Sequence, residues 1–136
     1  MRRFLSLSKA LSDSSRVRVL LALRQGELCL CQLVELLGFA PSTVSRHLEL
    51  LQRAGLVEQR KDGRWRYFRL AGPESPRVVR EALRWVRDNL ANDETIVADR
   101  KRLESIRGKT PEELSGFYQC HSSATAKGAL AGRGFK

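Results

Sequence analysis

Gly38-Phe39-Ala40-Pro41-Ser42-Thr43-Val44-Ser45-Arg46-His47-Leu48 joins two short helical patterns through three residues, and that junction decides the fold. Ahead of it, residues 31–37 read as a short helix stopped by Gly38, a residue suited to a left-handed C-terminal cap. Behind it, Pro41 suits the first turn of a helix that runs to Ala54 and is closed by Gly55. Val44, Leu48 and Leu51 recur at i, i+4 and i+7 and face inward, whereas Ser42, Thr43, Ser45, Arg46 and His47 crowd the N-terminal half with polar groups. Two helices so joined make a helix-turn-helix. The second helix of that motif offers its first residues to base edges in a DNA major groove.

Outward from the junction the pattern continues. Residues 57–60 and 65–70 alternate around Asp62-Gly63, a strong two-residue hairpin signal, so a β-hairpin wing is expected with its turn at that dipeptide. The wing carries Arg60, Lys61, Arg64, Arg66 and Arg69 against Asp62, a basic finger fit for phosphates or the minor groove. On the other side, residues 2–11 look like a short amphipathic helix. Asp13 caps a second one, with Val17, Leu20, Leu21 and Ala22 at helical spacing before Gly26. Pro73 and Pro76 mark a linker. Val79, Leu83, Val86, Leu90 and Val97 then predict a single helix over residues 77–106, about 30 residues and roughly 45 Å long. So long a stripe outruns what a small domain can cover, which points to a second copy of the chain as its partner, together with the N-terminal helix.

The fold expected is therefore mainly α with a β-hairpin wing (α+β): a winged helix-turn-helix acting as a homodimer. Residues 1–106 form the DNA-binding and dimerisation domain. Residues 107–136 have no clear period and read as a mobile C-terminal tail.

Charge and composition agree with this reading. Among 136 residues, 25 Lys+Arg face 15 Asp+Glu, a net charge of +10, which favours a polyanionic partner, double-stranded DNA first and an anionic membrane second. No apolar run nears the roughly 20 residues of a membrane span, and Ser6, Ser8 and Lys9 interrupt any signal-like core after Arg2-Arg3. A cytoplasmic protein with no membrane role is expected. A polar helix face alone is commonly just solvated. Here the helix lengths, turn, hairpin and charge all point to DNA.

The second informative stretch is Glu27-Leu28-Cys29-Leu30-Cys31, just ahead of the helix pair. Thiolates select soft ions over magnesium or calcium, and three cysteines are an odd number for a disulfide framework. Side chains two apart do not share a face of a regular helix, so Cys29 and Cys31 can chelate one ion only where the chain is extended or unwound. Forming the chelate would then disturb the start of the third helix. The same residues also fit the commonest fate of free cysteine, that of small buried apolar groups. The spacing leaves both readings open.

Glu27-Leu28-Cys29-Leu30-Cys31-Gln32-Leu33, with Ser42-Thr43-Val44-Ser45-Arg46-His47-Leu48 and Ala54-Gly55-Leu56-Val57, resembles the ArsR/SmtB family of metal-responsive repressors over roughly residues 5–100. The Glu-Leu-Cys-x-Cys element is characteristic of its arsenic-sensing branch. The resemblance implies a homodimeric winged helix-turn-helix repressor that leaves its operator when trivalent arsenic or antimony binds Cys29 and Cys31. It implies that the fourth helix reads DNA; the polar start of that helix and the basic hairpin make Ser42, Thr43, Ser45, Arg46, His47, Lys61 and Arg64 the expected contacts. Several arsenic sensors carry a third cysteine three residues after the pair. Val34 stands there in this chain, so a third thiolate would come from Cys120 in the tail or from a small cellular thiol.

The zinc-sensing branch builds its site on the long helix with Asp, His and Glu, and residues 77–106 contain no histidine. A sensor of cadmium or lead would want more thiolates than the chain offers. A thiol redox-responsive repressor requires a disulfide across one intervening residue, expected to be strained. A cysteine-nucleophile enzyme lacks a nearby histidine base, since only His47 and His121 exist. The sequence therefore points to no enzyme and no organic cofactor.

Overall fold

Asp13 opens the central helix of the domain: its carboxylate accepts from the Ser15 and Arg16 amides, at 2.8 Å and 3.3 Å. The computed structural model describes residues 1–114. In chain order they form α1 (Arg2–Ala10), α2 (Ser14–Ala22), a 3-10 turn (Leu23–Gln25), β1 (Leu28–Cys29), α3 (Leu30–Leu37), α4 (Pro41–Arg53), β2 (Val57–Asp62), β3 (Trp65–Leu70), α5 (Arg77–Leu90) and α6 (Glu94–Arg107). This is the expected winged helix-turn-helix, mainly helical with a small antiparallel sheet.

Burial penalises the Asp13 charge, but the N–H groups of Arg16 and Ser15 outweigh it and hold the carboxyl below its ordinary range. A depressed folded pKa means the cap contributes fully above the ordinary carboxyl pKa and is lost as pH falls through the folded value. Asp13→Ala should cost about 1 kcal/mol at neutral pH. Denaturant unfolding monitored by circular dichroism should show that difference shrinking to nothing in strong acid.

The sheet order is β1-β3-β2, all antiparallel. Val57 pairs with Leu70 and the register runs to Asp62 opposite Trp65. The two-residue turn is therefore Gly63-Arg64, one position later than Asp62-Gly63. Gly63 takes the first central position at φ +65°, where a tight hairpin needs a positive φ. The two-residue strand β1 was not expected. It pairs Leu28 with Phe68 and Cys29 with Tyr67, so the wing is three-stranded at its base.

The predicted single helix over residues 77–106 is two helices. Asp93 ends the run by capping α6, its carboxylate accepting from the Thr95 N–H at 3.0 Å. The break lets α6 fold back against α2 and α3. Asp99, almost fully buried, takes a bidentate pair from Arg18 at 2.8 Å and 3.0 Å. Arg102 donates to the terminal α3 carbonyls of Leu36 and Glu35, at 2.8 Å and 3.0 Å. The stripe assigned to a partner is consequently covered by the chain itself. Val79 joins the main core, Val86 packs with Leu21 and Ile96, and Leu83 and Leu90 are partly buried against these clusters. Large apolar side chains still exposed include Phe4, Leu5 and Trp85, on α1 and α5.

The main core lies between the helices and the sheet, with Phe68, Leu28, Leu33, Leu48, Leu51 and Leu56 fully buried. Residues beyond 106 begin on the domain surface, and Leu114 reaches into this core. Cys120 and His121, with the rest of the expected tail, lie outside the described residues.

Candidate functional site

Helix α4 has the two faces that its sequence demands. Val44, Leu48 and Leu51 are buried, while Ser42, Thr43 and Arg46 are exposed and Ser45 and His47 half-buried. Gly38 adopts the left-handed conformation, φ +76°, that turns the chain from α3 into α4. Pro41 occupies the first turn and no side chain caps the helix. Pro41 has no N–H to offer, and the Thr43 and Val44 N–H groups bond the Ala40 carbonyl at 3.0 Å and 3.1 Å. Arg46 makes no ion pair among the described residues and projects from this surface.

His47 is held from behind. Arg16 donates through Nε to the Ala10 carbonyl at 2.9 Å and through Nη2 to the Lys9 carbonyl at 3.1 Å. Its Nη1 lies 3.2 Å from His47 Nδ1. A guanidinium only donates, so Nδ1 accepts and the proton of the neutral ring sits on Nε2. One nearly buried arginine thereby ties the end of α1 to α2 and to α4. Sequence reasoning gave Arg16 no role, because Ala10, Lys9 and His47, which its guanidinium meets, lie 6, 7 and 31 residues away.

The wing's charges are not equivalent. Lys61 and Arg64 stand exposed at the hairpin tip, with the Arg64 guanidinium 4.6 Å over the Trp65 ring. Arg69 is paired with Glu58 at 2.9 Å. Arg60 is gripped by Glu27 through two bonds of 2.7 Å and 2.8 Å. The basic finger read from the sequence is thus partly neutralised by its own chain, and Lys61 and Arg64 are its free charges.

Cys29 and Cys31 sit at the junction of β1 and α3, with 1% and 2% of their surface exposed. Cys29 is extended, φ −86° and ψ 164°, and forms the N-cap of α3. Gln32 completes a capping box, accepting from the Cys29 N–H at 2.8 Å. The extended residue brings the two Cα atoms to 5.4 Å and the sulfurs into disulfide contact. Of the two expected routes to convergence, extended or unwound chain, the structure takes the extended one, because α3 begins only after Cys29. Both sulfurs belong to the close-packed core beside Leu28, Leu30 and Leu33. Inserting an ion there requires β1 or the first turn of α3 to move. Among the described residues, no three His, Cys, Asp or Glu side chains cluster as a metal site.

The exposed face of α4 and the cysteine pair are thus separate but adjacent: α3 starts at the cysteines and packs on α4. Residues 13–59 match the family model of the bacterial regulatory proteins, arsR family. The chain is 41% identical over 105 residues to an arsenic resistance transcriptional regulator of Pseudomonas putida, covering 76% of this chain and 79% of the relative. It is 39% identical over 85 residues to the arsenical resistance operon repressor of Escherichia coli, covering 59% and 72% respectively. Among solved structures, it is similar to a homodimeric winged helix-turn-helix DNA-binding domain from Mycobacterium bovis. That likeness has a TM-score of 0.54 and 28% identity over 68% of this chain and 86% of the other.

Proposed function

Because the chain belongs to the ArsR family of bacterial regulatory proteins, whose members are DNA-binding transcriptional regulators and not enzymes, we propose that it is a repressor released from its operator by trivalent arsenic or antimony. One observation carries the reading. Two buried cysteines, their Cα atoms 5.4 Å apart, stand at the first turn of the helix that packs on α4. Trivalent arsenic and antimony take thiolates in a pyramidal set of up to three. Cys29 and Cys31 supply two, and Cys120 or a small cellular thiol the third. Room for the ion comes from displacing β1 or the start of α3, which disturbs the DNA-reading pair.

On the operator, Ser42, Thr43, Ser45, Arg46 and His47 contact bases and nearby phosphates, and Lys61 and Arg64 contact the backbone beside them. Two copies of the chain pair through α1 and α5. Arg46→Ala should cost about 1–3 kcal/mol on the operator and little on unrelated duplexes. Lys61→Ala or Arg64→Ala should weaken all duplexes alike and lower the salt slope by about one. Fluorescence anisotropy across a salt series separates the two patterns, and equal, sequence-independent losses from all three would remove α4 as the reader.

The disulfide contact of Cys29 with Cys31 favours one second reading, a redox-responsive repressor. There a peroxide would take two electrons and two protons from the thiols, forming the S–S bond and two waters. Operator release titrated in parallel with arsenite, antimonite, cadmium and peroxide tests both. Release by the first two at the lowest concentrations supports the main reading, and release by peroxide alone replaces it with the second.

A further inference from the structure

The strand that carries Cys29 is also an edge of the wing. Tyr67 on β3 faces Cys29 of β1 on one side and Arg60 of β2 on the other. Glu27, two residues before Cys29, reaches across that row and takes the Arg60 guanidinium in a bidentate grip, Nε to Oε2 at 2.7 Å and Nη2 to Oε1 at 2.8 Å. The guanidinium also lies 4.5 Å over the Tyr67 ring. A planar fork on a carboxylate is a geometry that arginine alone supplies, and its strength depends on alignment.

We infer that Glu27 is a positioning residue that reports occupancy of the thiol pair to the wing through Arg60. This rests on the reading that Cys29 and Cys31 take the ion. An ion between the sulfurs displaces Cys29 from its register with Tyr67. Glu27, tethered two residues away, then loses alignment with Arg60, and the basic hairpin is freed from the geometry that presents Lys61 and Arg64. The route to DNA therefore runs through the sheet as well as through α3 and α4.

Charge alone makes the opposite forecast, which gives the test its edge. Glu27→Gln removes a negative charge close to DNA and, on electrostatics, should tighten operator binding. The positioning role requires the variant to bind the operator about five- to tenfold more weakly without arsenite, because the wing is already released. Arsenite uptake, followed by loss of titratable thiols, should match wild type. The further loss of affinity on adding arsenite should shrink from on the order of 100-fold to about tenfold or less. Arg60→Lys keeps the charge but loses the fork, and should behave likewise. The double variant should be no worse than either single one. All are measured on the full chain by operator anisotropy, with thermal melts as a folding control.

Operator binding as tight as wild type, with a full arsenite response in Glu27→Gln, would overturn the inference and leave the proposed function standing. Failure of the wild-type protein to take up arsenite at Cys29 and Cys31 removes the proposed function, and with it this route.

Discussion

Cys29→Ser is expected to bind the operator as wild type does and to stay on it at arsenite concentrations that release the wild-type protein. With one thiolate gone, the remaining ligand can no longer chelate. A tethered second ligand acts at an effective concentration of about the millimolar range, so its loss should weaken ion binding by on the order of 100-fold or more. Position decides why this variant is the clean one. Cys29 is the N-cap of α3, and Gln32 already accepts from its N–H. Serine is a preferred N-cap and completes the same box with a better acceptor, so α3 should start as before or slightly more firmly. Cys31→Ser should block release equally but buries a hydroxyl at a position 2% exposed. Its cost is about 1–3 kcal/mol. Arsenite-driven release of Cys29→Ser at wild-type concentrations would end the chelate mechanism. Cys120→Ser should reduce ion affinity only in part, since a cellular thiol can take that place.

The same region shows where sequence reading stops. Gly38 and Gly55 mark the ends of α3 and α4 because their positive φ values, +76° and +81°, are locally required. The i, i+4, i+7 spacing of Val44, Leu48 and Leu51 fixes which face of α4 is left exposed. These signals lie within one element and are legible. Strand β1 is two residues long, too short to show any alternation, and it exists because Phe68 and Tyr67 of β3 pair with it. The Glu27–Arg60 grip spans 33 residues and the Arg16–His47 contact 31, so neither has a local signature. Glu27 entered the sequence reading only as part of a family motif, and the structure gives it a partner.

The break after α5 has a local signal in the sequence that periodicity overlooks. Asn92-Asp93-Glu94 is a helix-start pattern, with Asp93 as the cap. Leu90 and Val97 are seven residues apart, so the apolar period continues across the break as if nothing intervened. Periodicity alone therefore predicted one long helix with an uncovered stripe. In the folded chain, α6 returns to the core and α2, with Leu21, helps cover Val86. The case for self-association then rests on the N-terminal helix, as expected, and, instead of the Val79, Leu83, Val86 and Leu90 stripe, on Trp85.

Those residues set the second large effect. Phe4 and Leu5 on α1 are 61% and 55% exposed, and Trp85 on α5 is 65% exposed. The two helices contact each other, and we propose their exposed side chains as the seam for the second copy. Leu5→Glu combined with Trp85→Glu places four carboxylates across such a seam, two from each copy. Neither side chain supports the core of its own chain. The expected product is a folded monomer at micromolar concentration, with a helical spectrum close to wild type. Helix-turn-helix dimers read two half-sites at once, and the second contact gains from an effective concentration set by the first. Loss of pairing should therefore cost about 100- to 10,000-fold in operator affinity, while binding to a single half-site changes far less. Sedimentation velocity and anisotropy on full and half operators measure both quantities. A double variant that still sediments as a dimer would move the seam elsewhere on the molecule, and a monomer with undiminished operator affinity would remove dimerisation from the DNA-binding mechanism.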